Sequence, residues 1–180
     1  MLLTENEMLF EWALRRHAVD LRYDAEITRP EGSPDIDIML REMRDWYHKM
    51  LMTADTDILY VYDLSNSFYP APTSTVGLYV IRLPEEFLRL VDLEIETSAG
   101  VRKVRIVDPD SRIGIFQRNP LTMAGPFTPV AYTPKPGKGN LNLFVNDRVA
   151  PKTFSFKAIT LPPEGKYAVT EALLCLIPRL

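Results

Sequence analysis

The chain is poor in the residues that most active-site chemistry needs. It holds one cysteine, Cys175, which excludes an intramolecular disulfide framework and suits a reducing compartment. Its two histidines, His17 and His48, are a thin inventory for acid–base or metal chemistry at neutral pH. The longest apolar run, Ala172 to Ile177, falls far short of the roughly 20 residues that span a bilayer. The first residues carry no basic stretch and meet acid at Glu5, so a soluble protein without a cleaved signal is expected. Charge of one sign is scarce too. A net charge of −3 beside 10% aromatic residues excludes a disordered chain.

What is present is a globular composition: 180 residues, 46% of them hydrophobic, enough for one domain that folds without metal or disulfide. Prolines number 15, which predicts many extended segments and rigid turns.

Thr4-Glu5-Asn6-Glu7 has the form of a capping box, with Thr at the N-cap and Glu three residues later. Phe10, Ala13, Leu14, Ala18 and Leu21 then keep a helical rhythm, which predicts a helix from about Glu5 to Glu26. It should stop before Arg29-Pro30-Glu31-Gly32. Ser33-Pro34-Asp35 starts a second helix, whose apolar stripe runs Ile36, Met39, Leu40, Met43, Tyr47, Met50 and Leu51. The short link makes the pair, residues 1–53, an antiparallel helical hairpin.

Beyond Thr53 the period changes from helical to alternating. Strands are expected at Ile58–Tyr62, Val76–Arg82, Leu141–Val145 and Thr153–Lys157, with one helical turn at Leu83–Leu88. Val91, Leu93 and Ile95 alternate with acids, Val104 and Ile106 alternate with bases, and Ser98-Ala99-Gly100 lies between them. The expected hairpin puts Ile95 opposite Val104, Glu96 opposite Lys103 and Glu94 opposite Arg105. From 108 to 140 six prolines interrupt the pattern. Only Ile113–Gln117 resembles a strand there, and so long an unstructured stretch predicts an extended arm that a partner orders. A terminal helix is expected over 163–177. The fold class is therefore α+β: a helical hairpin, an antiparallel strand-rich body over 54–180 with an extended proline-rich arm, and a short C-terminal helix, all in one structural domain.

Charge is uneven along the chain. Residues 1–60 carry 7 basic and 13 acidic side chains, a net of −6, whereas residues 61–180 carry 14 and 11, a net of +3.

No motif for catalysis stands out. His17 and His48, one on each helix, lack the further ligands a zinc site needs. Cys175 reads as a small buried hydrophobe on an apolar helix face. Asp35-Ile36-Asp37 and Asp55-Thr56-Asp57 begin like calcium loops but lack the glycine and the terminal glutamate. Pro136-Gly137-Lys138-Gly139-Asn140 lacks the spacing of a phosphate loop. The adjacent pair Glu85-Glu86 points in two directions, and the basic bias of 100–157 follows no nucleic-acid module. The expectation is a protein without catalytic residues, cofactor or metal.

Leu83-Pro84-Glu85-Glu86-Phe87-Leu88-Arg89-Leu90-Val91, placed after two helices and before a strand hairpin, resembles the ring proteins of short-tailed bacteriophages, those of crAss-like phages above all. In that family a similar phrase leads into strands and a proline- and asparagine-rich stretch, which Arg118-Asn119-Pro120 resembles. The resemblance implies a structural virion protein of the head–tail connector or tail, assembled in the host cytoplasm. It implies a dozen identical subunits around a DNA channel, bridging the portal to tail components, with DNA passing unread through the lumen and no membrane involved. Leu83, Phe87 and Leu88 also have a purely structural use as core plugs.

A ring subunit needs unlike faces and segments that reach a neighbour. The arm offers them, and its contact candidates are Phe116, Arg118, Phe127, Tyr132 and Lys135. Deleting 120–138 is expected to leave a folded monomer that cannot assemble. Two alternatives stand beside this reading. One is a capsid-decorating or vertex virion protein, found on the shell and not in the tail. The other is a cytosolic module binding a small ligand or nucleic acid, which steep salt dependence of DNA binding would favour.

Overall fold

The computed structural model describes residues 1–16, 34–132 and 139–178. In chain order the elements begin with β1 (Leu2–Thr4), α1 (Glu5–Arg16), α2 (Pro34–Thr53), a 3₁₀ turn (Thr56–Ile58), β2 (Tyr62–Asp63) and β3 (Ala71–Pro72). Then come β4 (Leu78–Arg82), β5 (Phe87–Thr97), β6 (Gly100–Lys103), β7 (Arg105–Val107), α3 (Arg112–Phe116) and β8 (Val130–Tyr132). The chain continues with β9 (Asn140–Phe144), β10 (Lys152–Thr160), β11 (Lys166–Ala168) and α4 (Glu171–Leu174). This is the mixed α+β class, strand-rich and mostly antiparallel, that the change of period implies.

The chain divides into two compact units. One joins Met1–Tyr60 to Pro162–Leu180, and the other is Val61–Leu161. The C-terminal stretch thus belongs with the helices, in place of the 54–180 body read from the sequence. The cause is pairing: β11 is antiparallel to β1, with Leu3 opposite Tyr167.

In the helical unit the capping box forms as its residues require. The Thr4 backbone N–H and hydroxyl both donate to a Glu7 carboxylate oxygen, at 2.7 and 2.8 Å, and the Glu7 N–H donates back to Thr4 Oγ1. These bonds hold the Glu7 carboxyl below its ordinary pKa. Helix α1 buries Met8, Trp12 and Ala13, and Phe10, expected on that face, is exposed. The helix is described to Arg16, and its expected continuation to Glu26, with the turn at 29–33, lies outside the described residues. Helix α2 keeps its stripe, burying Met43, Tyr47 and Leu51. Glu5, Trp12 and Arg16 of α1 all meet one stretch of α2, as the Glu5–Arg44 and Arg16–Glu42 ion pairs and the Trp12–Trp46 ring contact at 5.3 Å.

The terminal helix expected over 163–177 is instead β11 followed by the four-residue α4. Tyr47 decides this. Its hydroxyl accepts from Ala168 N at 2.9 Å and donates to Ala168 O at 3.0 Å, so the tyrosine stands where the next strand of a sheet would. Thr170 then starts α4 by accepting from Leu173 N, and its own hydroxyl donates to Ile58 O. Cys175, at the C-cap of α4, is exposed and lies 3.6 Å from an Arg15 guanidinium nitrogen. The buried-hydrophobe reading of this cysteine is corrected. Leu173, Leu174 and Ile177 fill the core and leave its side chain turned out.

The other unit is a sandwich of two sheets, ordered β2-β10-β5-β6 and β3-β4-β9-β8-β7. Residues of both sheets, among them Ile81, Leu93, Ile95, Leu141, Leu143 and Phe156, make one hydrophobic cluster. The stretch 58–62 yields only the 3₁₀ turn and the short β2. Leu83–Leu88 is no helical turn. Phe87 N–H donates to Pro84 O at 3.1 Å, closing a turn that feeds straight into β5, with Phe87 and Leu88 buried. The nine residues that carry the phage resemblance therefore include core plugs.

The β5–β6 hairpin forms two residues out of its expected register. Thr97 pairs with Gly100, Ile95 with Arg102 and Glu94 with Lys103. Ser98 and Ala99 alone make the turn, because Gly100 takes a positive φ of 88° that other residues rarely adopt. A shift of two keeps every side chain on its face, so Leu93, Ile95 and Val104 still point into the core. Lys103 pairs with Asp92 at 2.7 Å, and Arg105 leaves the ladder altogether. Val104 N–H donates to Leu93 O in one sheet, and the next N–H, of Arg105, donates to Pro129 O in the other. The strand changes sheets at that peptide.

Candidate assembly surface

That change of sheet explains the stretch after Val107. Strands β7 and β8 are parallel neighbours, Arg105 opposite Val130 and Val107 opposite Tyr132. Parallel neighbours cannot be joined by a tight turn and need a crossover of a dozen or more residues. Residues 108–129 are that crossover. The extended arm expected over 108–140 is corrected: its first two-thirds is folded onto the second sheet, and 133–138 lie outside the described residues. Ala124, Val107, Val130 and Phe144 form a small cluster with Ile113, Met123 and Tyr132 against it. Deleting 120–138 would remove β8 from the middle of a sheet, so that deletion does not isolate assembly from folding.

The crossover is built around α3, which replaces the strand expected at Ile113–Gln117. Ser111 makes it a helix: its hydroxyl accepts from Gly114 N at 3.1 Å and donates to Asp108 O at 2.6 Å. Gly114 sits directly on the Asp108-Pro109 backbone, where a Cβ would come within 2.8 Å of Pro109 O and closer still to Asp108 O. Tyr132 donates to Gly114 O at 2.9 Å while its ring lies 4.5 Å from that of Phe144. Gln117 is only 4% exposed, and its side chain is bonded at both its donor and its acceptor end. Its amide donates to Ile113 O at 3.0 Å, and its carbonyl accepts from Ala124 N at 2.8 Å, clamping both ends of the loop between.

That clamped loop presents apolar side chains to solvent. Asn119 Oδ1 accepts from Leu121 N, and Thr122 Oγ1 donates to Phe116 O at 2.7 Å. Leu121 between them is 92% exposed, beside Ile115 at 50% and Phe116 at 44%. Two arginines flank them: Arg112 lies 5.7 Å from the Phe116 ring centroid, and Arg118 pairs with the exposed Asp110 at 3.3 Å.

Of the contact candidates read from the sequence, Phe116 and Arg118 come together on this knob. Phe127, 71% exposed, stands on a separate turn whose Pro126 carbonyl accepts from Thr97 Oγ1. Tyr132 is half-buried and supports α3 from below. Lys135 lies outside the described residues. Sequence reasoning missed Ile115 and Leu121. The available signal was Asn119-Pro120-Leu121, an apolar residue inside an Asx-type turn, where a polar one is usual.

Among the described residues no group of three His, Cys, Asp or Glu side chains is placed to hold a metal ion. His48 is exposed on α2, and His17 lies outside the described residues. Among the described residues, no helix is long and apolar enough to cross a membrane.

Asp147 ties the β5–β6 turn to the loop after β9. Its carboxylate accepts from Ser98 N at 2.7 Å and from Val149 N at 3.3 Å, which holds its pKa below the ordinary 3.8. A depressed carboxylate contributes stability above its unfolded pKa and loses it as pH falls through the lower folded value. In thermal melts an Asp147→Ala protein should therefore melt below wild type at pH 7, with a gap that is constant down to about pH 5 and closes below about pH 4. A gap that is the same at pH 3 and pH 7 would show that the charge of Asp147 contributes nothing.

No family model matches the chain, and no curated protein matches it.

Proposed function

We propose that this chain is a non-catalytic structural subunit of a bacteriophage head–tail connector or tail ring. In this reading identical copies, a dozen as the sequence resemblance implies, close around the DNA channel and bridge the portal to tail components. The observation that carries it is Leu121, almost fully exposed on a loop held by side-chain hydrogen bonds and a buried glutamine. Leaving a leucine in water forgoes about 1.5–3 kcal/mol of burial, and a loop built to hold it there has its ordering entropy already spent. Such a feature is suited to binding a protein surface. Heterologous contacts of this kind generate rings when the rotation closes.

The test is the molar mass of the purified protein by light scattering over a wide concentration range, with imaging of the heaviest species. A closed ring of about a dozen copies is expected at high concentration or on a portal template. A monomer under both conditions would overturn the reading.

A further inference from the structure

Strand β6 is the last of the four-stranded sheet, and its hydrogen bonds fix which residues face outward. Val104 N–H donates to Leu93 O, and these two residues continue the register of Ile95 with Arg102 and Thr97 with Gly100. Bonded and non-bonded pairs alternate along an antiparallel ladder. Val101 and Lys103, which alternate with those pairs, therefore turn their N–H and C=O groups away from β5. Of these four groups only Val101 O has a partner among the described residues, the Arg102 guanidinium at 3.4 Å. Two N–H groups and one C=O, on residues two apart, remain for the main chain of an added strand.

The side chains of this edge select the strand. Residues 100–107 hold Arg102, Lys103 and Arg105 and no acid. On the Lys103 face the sheet balances itself: Lys103 pairs with Asp92 and stands opposite Glu94, while β10 sets Lys152 opposite Glu96 and Lys157 opposite Asp92. Arg102 lies on the other face, where β5 offers Leu93, Ile95 and Thr97. Arg105 begins β7 beside Val130, and Asp108 beyond it turns its carboxylate onto Asp110 N at 2.8 Å. Neither arginine makes an ion pair among the described residues. We propose that β6 is a docking edge for an extended acidic segment of another protein, which joins the sheet as a fifth strand and sets carboxylates against Arg102 and Arg105. Its alternate side chains would meet Val101, 39% exposed. A second copy fits worse. In the register that uses both outward residues, Arg102 would stand opposite its own copy, and like charges directly opposite destabilise a sheet. Bases on an edge strand keep such copies apart, and the same bases favour a strand that brings acids. The inference does not depend on the ring.

The test titrates the isotope-labelled full chain with three short peptides and follows its amides by NMR. One peptide alternates glutamate and valine, one alternates lysine and valine, and the third is the acidic peptide with every second nitrogen methylated. The acidic peptide should bind about tenfold or more tighter than either of the others and slow amide exchange at Val101 and Lys103. Arg102→Glu should reverse the order of the acidic and lysine peptides. Lys103→Pro removes an outward N–H without breaking a bond to β5, and proline is tolerated at such edge positions. It should weaken the acidic peptide about tenfold, whereas Lys103→Ala, which keeps the N–H, should stay within about threefold of wild type. If the proline variant loses the wild-type circular dichroism, the methylated peptide makes the same test on the intact chain. Equal binding of the methylated peptide would overturn strand addition, and equal binding of the lysine peptide would overturn the choice of an acidic partner. No binding up to about 1 mM would overturn both. Slowed exchange at Val101 and Lys103 as wild type alone is concentrated would give the edge to a second copy and overturn the proposal, with the ring left standing.

Discussion

Replacing Gly114 by alanine is expected to destabilise the strand unit by about 1–3 kcal/mol or more, and to weaken self-association as well. Gly114 is helical, so the reason is space and not an unusual φ. The new Cβ would meet the carbonyls of Asp108 and Pro109, backbone atoms that cannot swing away as a side-chain tip can. Helix α3 would have to lift, and with it go the Ser111 cap, the Tyr132–Gly114 hydrogen bond and the hold of Gln117 on Ala124. The Leu121 loop shares those supports. Gly125→Ala is the matched control, because a Cβ there meets nothing within 4 Å. Urea denaturation should show a lowered midpoint for the first variant and almost none for the second. Equal midpoints would mean that α3 is not seated on the Asp108-Pro109 backbone.

The second large effect is expected from Phe156→Ala. Phe156 is fully buried on β10, opposite Leu93, with its ring 5.3 Å from Phe68. Its N–H donates to Ser65 Oγ and its carbonyl accepts from Leu64 N, so the backbone around it is fixed on both sides. A cavity there cannot collapse easily, and the cost should be about 3–5 kcal/mol. The readout can be separated by unit, since both tryptophans, Trp12 and Trp46, lie in the helical unit. The β-sheet signal in circular dichroism should therefore melt at markedly lower urea. Tryptophan emission reports in the same titration whether Met1–Tyr60 and its C-terminal partner follow. A β-sheet transition within about 1 kcal/mol of wild type would show that Phe156 is not central to this core.

The candidate surface was half legible in the chain. Phe116 and Arg118 are contact candidates because both fall in the proline-rich stretch read as an arm, and both lie on the knob. Tyr132 has the same composition signal and a different task, since only the packing of β8 beside β9 turns its ring onto Phe144. Leu121 escaped because exposure is not written in residue type: the hydrogen bonds of Gln117 to Ile113 and Ala124, which hold its loop, appear only in the fold.

What the sequence by itself determined is whatever depends on near neighbours. Thr4 and Glu7 are three residues apart, so their reciprocal cap is local. The stripe Met43, Tyr47 and Leu51 repeats every four residues and makes α2 amphipathic wherever it packs. The alternation through Leu93 and Ile95 survives even a register error of two, because faces repeat with period two. Only the tertiary structure decided the rest. Residues 166–168 are a strand because β1, at the other end of the chain, lies beside them and Tyr47 closes their far edge. Residues 108–129 are a folded crossover because β7 and β8 run parallel, a relation between two strands that neither contains alone. Local patterns fix which face of an element is apolar. The partner that covers that face, and the path the chain must take to reach it, are set by residues outside the local pattern, from the neighbouring strand of a crossover to the opposite end of the chain.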